Sequence, residues 1–78
     1  MKLYTARYPI YLTCIQSDGI LLRAIDATGG RLLLDEVSSG GRYRDFHFEA
    51  EEVTEEFRAS LRKDNFDYHV TLLNVLDD

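Results

Sequence analysis

The chain has 78 residues, fewer than the ~100–150 of a typical domain, and is treated as a single domain over residues 1–78. This length excludes a doubly wound nucleotide-binding sheet, a β/α barrel and a kinase-like catalytic fold. Hydrophobic residues make up 45% and charged residues 29%, with one proline, which indicates a folded chain. The formal net charge of −5 argues against general affinity for nucleic-acid phosphates, because such affinity needs clustered positive charge.

The single cysteine and the first residues of the chain bear on the cellular compartment. Cys14 alone cannot form an internal disulfide framework or a cysteine-rich zinc site, and its apolar neighbours favour a small core residue. Arg7 and Pro9 interrupt any apolar run of the secretory type near the start. No segment approaches the ~20 apolar residues of a membrane span. We therefore predict a cytoplasmic protein without membrane contact.

Turn sequences divide the first two-thirds of the chain into short apolar segments. Asp18-Gly19 is a hairpin signature, because glycine adopts the positive φ that tight turns require. Gly29-Gly30 and Gly40-Gly41 mark two further turns at a spacing typical of an antiparallel meander. The predicted strands are residues 2–8, 10–16, 20–26, 31–37 and 42–48.

The pattern changes to a helical period after residue 49. Ala50, Val53, Phe57 and Leu61 follow one another at spacings of three and four, which predicts one apolar stripe of a helix. The helix begins either near Ala50 or after Thr54 as its N-cap, and it should end before residues 64–65. Residues 66–76 then alternate as in a strand. The predicted fold class is α+β: an antiparallel β-meander of five or six strands with one amphipathic helix before the last strand.

Several predicted strands carry apolar residues on both faces, which a single short helix cannot cover. The segments concerned are Ile20-Leu21-Leu22, Leu32-Leu33-Leu34 and Leu72-Leu73. Four kinds of cover are open: strong curvature of the sheet, the N-terminal segment, a second copy of the chain, or a partner protein.

Sequence motifs of known enzymes are absent, so the chain is predicted not to be an enzyme and to have no cofactor. The strongest alternative is a metal or acid–base site at Asp45, His47 and Glu49, which period-two geometry places on one face of a strand. His69 could approach His47 if their strands pair. The same alternation is typical of any half-buried strand, and no catalytic or metal-binding residue is assigned.

Charge and aromatic residues favour a protein-binding surface. Arginine and tyrosine at positions 42–44 are favoured both at protein interfaces and where single-stranded nucleic acid stacks. The acidic run from residue 45 to 56 opposes phosphate binding and would attract a basic protein surface. The candidate protein-binding residues are Arg42, Tyr43, Arg44, Asp45, Glu49, Glu52, Glu55 and Glu56.

The leading functional hypothesis is therefore a small acidic, non-catalytic protein-binding module, plausibly an inhibitor that docks on a basic protein surface. In size and charge alone the chain is similar to antitoxins, immunity proteins and anti-CRISPR proteins; no motif carries that similarity. The first alternative is a homodimeric structural or accessory subunit that uses the apolar second face of its sheet. The second is a small metal-dependent or acid–base enzyme.

Overall fold

The structure is a computed structural model that describes residues 2–12, 15–62, 66 and 69–76, with the side chains of 15, 39 and 74–76 excepted. The predicted core position of Cys14 lies outside the described residues. Short 3₁₀ turns occupy Ile10–Leu12 and Ser39–Gly41. The main elements are β1 (Lys2–Pro9), α1 (Ile15–Ala27), β2 (Arg31–Val37), β3 (Tyr43–Ala50), α2 (Glu55–Leu61) and β4 (Thr71–Leu76).

The four strands form one antiparallel sheet in the order β2-β3-β1-β4. Each helix joins two strands that are not neighbours, so α1 links β1 to β2 and α2 links β3 to β4. The element order β-α-β-β-α-β with this strand order is the split βαβ, or ferredoxin-like, arrangement. The sheet is therefore antiparallel as predicted, but the described residues form four strands instead of five or six and two α-helices instead of one.

The core lies between the two helices and one face of the sheet. β1 and β3 are the central strands, and alternate residues of each are buried against the helices. Phe48 stacks between Tyr4 and Phe57, with ring centroids 5.5 and 5.7 Å away. Among the residues whose burial is described, thirteen hydrophobic ones make up the cluster: Tyr4, Ala6, Tyr8, Ile20, Leu21, Ala24, Ile25, Phe46, Phe48, Ala50, Phe57, Leu61 and Phe66.

Within the segment predicted as two strands with an Asp18-Gly19 hairpin, Ile10–Leu12 form a 3₁₀ turn and residues 15–26 belong to the helix α1, so that prediction is wrong. Its buried residues are spaced three and four apart, as expected for one helix face against a sheet. Gly19 lies inside this helix, where it costs up to ~1 kcal/mol relative to alanine but packing of the apolar stripe dominates. The buried face of α1 consists of Ser17, Ile20, Leu21, Ala24 and Ile25. Leu22 points away from the core and is 41% exposed.

The other elements follow the sequence more closely. The strand predicted at 31–37 is β2, and the strands predicted at 2–8 and 42–48 correspond to β1 and β3. The side chain of Thr54 accepts a hydrogen bond from the backbone N–H of Phe57, so the shorter of the two predicted helices, starting at Glu55, is correct. The predicted stop at residues 64–65 lies outside the described residues. The last strand begins at Thr71 instead of Phe66, which is buried in the core.

Candidate functional site

The sheet face opposite the two helices is the candidate functional site, and we call it the open face. Strand pairing places its residues in three rows that run across the sheet, because directly paired residues of antiparallel strands share a face. The middle row contains Leu34, His47, Thr5 and Leu73, in the order β2, β3, β1, β4. The two flanking rows are Glu36, Asp45, Arg7 and Thr71 on one side, and Arg31, Glu49 and Leu3 on the other.

Arg7 on β1 and Asp45 on β3 form an ion pair on this face. The guanidinium Nε and Nη2 of Arg7 donate to the two carboxylate oxygens of Asp45 at 2.8 and 2.9 Å, a bidentate arrangement. The hydrogen bonds to Asp45, and next the charge of its carboxylate, raise the pKa of the Arg7 guanidinium above its ordinary value. Tyr43 places its ring 5.4 Å from the same guanidinium. The buried carboxylate of Asp45 is therefore fully paired within the sheet.

His47 is held from both sides in the middle of the open face. Its Nδ1 lies 2.7 Å from Oγ1 of Thr5 on β1, and its Nε2 lies 2.8 Å from a carboxylate oxygen of Glu36 on β2. In the next row, Nε of Arg31 donates to Glu49 at 2.7 Å. Every charged side chain in the three rows thus pairs with another side chain of the open face.

Large apolar side chains on the open face remain accessible. Leu33 and Leu34 on β2 are 45% and 54% exposed, while Leu73 on β4 is 41% exposed. The pairing of β2 with β3 shifts between Leu32 and Leu34, so a β-bulge interrupts the alternation of the strand there. β2 is also an edge strand, and all of its residues except Leu32 are exposed. Within the described part of the chain, no helix or loop lies over these leucines.

The predicted protein-binding residues are spread over four regions instead of one surface. Tyr43, Asp45 and Glu49 lie on the open face by their position in β3. Arg44 lies on the opposite face, where it approaches Asp18 and Asp35 at 3.7 and 3.5 Å and stacks over the ring of Phe46. Arg42 is exposed in the turn before β3. The remaining three, Glu52, Glu55 and Glu56, lie beyond the other end of β3.

That separation follows from the length of β3. Eight residues at ~3.3 Å each make β3 about 26 Å long. This length separates Arg42, in the turn before β3, from the glutamates that follow its other end, which we call the acidic end. The acidic end comprises Glu51, Glu52, Glu55 and Glu56, all exposed. Among them, within the described residues, Glu55 forms an ion pair, at 2.6 Å to Arg62.

The structure changes the composition of the suspected acid–histidine cluster. Glu49 pairs with Arg31 and is not part of the cluster. Glu36 of β2 takes its place: the ligand atoms of Glu36, Asp45 and His47 all lie within 4.8 Å of one another, close enough to hold a metal ion. Sequence reasoning missed Glu36, because its approach depends on how β2 pairs with β3. A cation here would have to compete with Arg7 for the Asp45 carboxylate. The condition for an approach of His69 to His47 is not met, since His69 precedes β4 and β1 lies between β4 and β3.

A small recess on this side of the sheet lies between β1, β2 and β3. It is lined by Leu3, Tyr4, Leu33, His47 and Phe48, and its volume is about 120 Å³. Ligand pockets in proteins usually enclose ~300–1,000 Å³ and bury most of a small molecule. The recess is therefore too small to enclose a typical small-molecule substrate.

Among the described residues, none of the helices has the length and apolar content that crossing a membrane requires. Comparison with known proteins gives no match for the chain: no family model, no curated protein and no solved structure is significantly similar to it.

Proposed function

We propose that the chain is a non-catalytic protein-binding module whose contact surface is the open face of its sheet. The observation that carries the proposal is the exposure of Leu33, Leu34 and Leu73 on a face where each charged side chain is paired within the sheet. Leu33 and Leu34 lie at the β2 edge of this face and Leu73 at the β4 edge, and large apolar side chains left exposed on a sheet face mark sites of association.

The chemistry of the open face supports this proposal over a catalytic one. Arginine and tyrosine are enriched at protein interfaces, and Arg7 stacks on Tyr43 on the same face that carries the exposed leucines. Groups that are neutralised in advance lose less solvation on binding than isolated charges, so the ion pairs of this face can be covered at moderate cost. The acid and base groups of a catalytic site would instead need access to a pocket.

Photo-cross-linking in cells tests the proposal. A photoreactive amino acid at position 34 or 73 should give covalent protein adducts after irradiation, because these side chains would lie inside the interface. The same group at Leu22 on α1, which is as exposed as Leu73, is the matched control. Adducts that are no more abundant from positions 34 and 73 than from position 22 would refute the proposal.

We also propose a second candidate function, an inhibitor that docks on a basic protein through the acidic end defined above. The exposed carboxylates of Glu51, Glu52 and Glu56 favour it, since no described cation pairs with them. Such a group raises the rate of encounter with a basic surface and makes binding weaken as salt increases.

Titration with an oligolysine peptide, followed by backbone amide NMR shifts, tests the second candidate. The shifts should cluster at residues 51–56 and decrease in high salt. Glu52→Lys should reduce them, whereas Asp26→Lys, an equal change of charge at an exposed position on α1, should leave them in place. Shifts spread evenly over all acidic residues would contradict a specific acidic docking site.

A further inference from the structure

We infer that the partner of the open face is a second copy of this chain, packed face to face around a two-fold axis parallel to the strands. The inference rests on the proposed function, because it names the occupant of the same surface. It commits to one arrangement, in which β2 of one protomer lies over β4 of the other.

The order of residues in the middle row makes the face self-complementary. Leu34 stands at the β2 end of this row and Leu73 at the β4 end, with His47 and Thr5 between them. A two-fold axis that runs parallel to the strands, above the centre of the sheet, exchanges the β2 and β4 ends of every row. It keeps each row at the same position along the strands. Leu34 of each protomer then faces Leu73 of its partner, so one interface forms two identical leucine contacts.

The same axis matches the charges of the neighbouring row. It places Arg7 of one protomer over Asp45 of the other, because these residues lie symmetrically about the sheet centre on β1 and β3. Each bidentate pair then packs against an identical pair in the opposite orientation, so unlike charges face each other twice. Two sheets of this kind pack ~10 Å apart with their strands at about 30°.

The net charge of the open face also favours a copy of the chain over a basic partner. Its three rows hold two arginines, Arg7 and Arg31, and three carboxylates, those of Glu36, Asp45 and Glu49, a net charge of −1 with His47 neutral. The whole chain carries −5, so most of the excess negative charge lies elsewhere. A strongly basic protein would be drawn toward the acidic end and not toward this face.

The area of the face is sufficient for a weak, specific dimer. The strands have six to eight residues, or about 20–26 Å, and lie ~4.8 Å apart, which gives roughly 450 Å² for each protomer. Two protomers together bury roughly 900 Å², which is just below the ~1,000 Å² of a stable specific interface and in the range of weak ones. The dimer should therefore form at high protein concentration and dissociate on dilution.

Sedimentation velocity of the purified chain, over a wide concentration range and at low and high salt, tests the inference. Salt should strengthen the dimer, because it screens the repulsion between two chains of charge −5, whereas the contacts across the interface join leucines and Arg7–Asp45 pairs that are each neutral overall. Leu73→Lys should raise the dissociation constant about tenfold or more. Leu22→Lys is the control, with the same starting exposure and the same resulting charge, and it should leave dimerisation unchanged. Circular dichroism should show that both variants fold.

The outcomes separate this inference from the proposed function. A monomer at the highest soluble concentration in high salt would overturn the homodimer, and so would equal effects of Leu73→Lys and Leu22→Lys. If the cross-linked adducts from positions 34 and 73 then contain a different protein, the binding function stands with another occupant. Adducts of twice the chain mass, together with a dimer that salt strengthens, support the inference.

Discussion

Arg7 and Asp45 lie directly opposite each other on the central strands β1 and β3 and are joined by two hydrogen bonds of 2.8 and 2.9 Å. The two side chains differ in exposure: the Asp45 side chain is 5% exposed and that of Arg7 is 40% exposed. The carboxylate therefore depends on the arginine for its pairing, whereas the arginine can still reach water. This asymmetry decides which of the two is costlier to remove.

Arg7→Met should destabilise the fold more than Asp45→Asn. Removing the arginine leaves a buried carboxylate without its partner, while Asp45→Asn leaves an arginine that water can solvate. The double variant should recover part of the loss caused by Arg7→Met, because no buried charge then remains. Urea unfolding of the four proteins as a double-mutant cycle measures the coupling. Equal and additive losses would show that the pair contributes little.

Stability should fall above a pH of about 10 because of Tyr8. Burial, and then the hydrogen bond that its hydroxyl donates to Asp18, raise the pKa of Tyr8 above its ordinary value; Arg44 opposes the rise and Asp35 adds to it. The folded chain thus holds this proton more tightly than the unfolded chain, so the associated stability is fully present at lower pH and is lost as pH rises. Urea midpoints measured between neutral and alkaline pH follow this loss.

Two phenylalanine variants isolate that effect. Tyr8→Phe should cost ~1 kcal/mol at neutral pH through the lost hydrogen bond, and it should flatten the alkaline decline. Tyr11→Phe, at a position that is 76% exposed, should leave the decline as it is. An unchanged alkaline slope in Tyr8→Phe would assign the pH dependence to other groups.

Phe48 is the side chain on which the core depends most directly. It is fully buried and stacks with Tyr4 and Phe57 on either side. Phe48→Ala should cost ~3–5 kcal/mol, a large share of the ~4–12 kcal/mol expected for a chain of this length. Phe48→Leu should cost less, and Leu22→Ala on the exposed side of α1 should stay within ~0.5 kcal/mol. Chemical denaturation measures all three; a small loss for Phe48→Ala would mean that the aromatic stack relaxes to fill the space.

The sequence predicted the sheet where alternation and turn residues agree, as in β2 and β3. The prediction is wrong at α1, where two patterns conflict: Asp18-Gly19 indicates a turn, whereas the spacing of Ile20, Leu21 and Ala24 indicates a helix. That spacing is the helical signal, and the apolar run there reflects a helix stripe instead of a two-faced strand. Burial of a whole helix face stabilises α1 by more than the local turn preference of Asp18-Gly19 opposes it, and this burial is a tertiary effect.

The candidate site could be predicted only in part for a similar reason. The alternation of Asp45, His47 and Glu49 on one face of β3 followed from the period of a strand. Their partners did not, since Arg7 and Glu36 reach them through strand order and register, which no local pattern specifies. The sequence predicts that the leucines of β2 need a cover. Which face they lie on, and that this face is uncovered, depends on where both helices pack.

Gly29 and Gly30 form the turn between α1 and β2, and each should resist substitution for a different reason. Gly29 has a φ of 75° with open space around it, so Gly29→Ala should cost ~1–2 kcal/mol from backbone conformation and Gly29→Asn less, because asparagine tolerates this conformation. A Cβ on Gly30 would lie 2.2 Å from the backbone oxygen of Glu49. Gly30→Ala and Gly30→Asn should therefore both cost ~1–3 kcal/mol by pushing β2 away from β3. Urea unfolding of the four variants measures these losses, and rescue of Gly30 by asparagine would contradict the steric explanation.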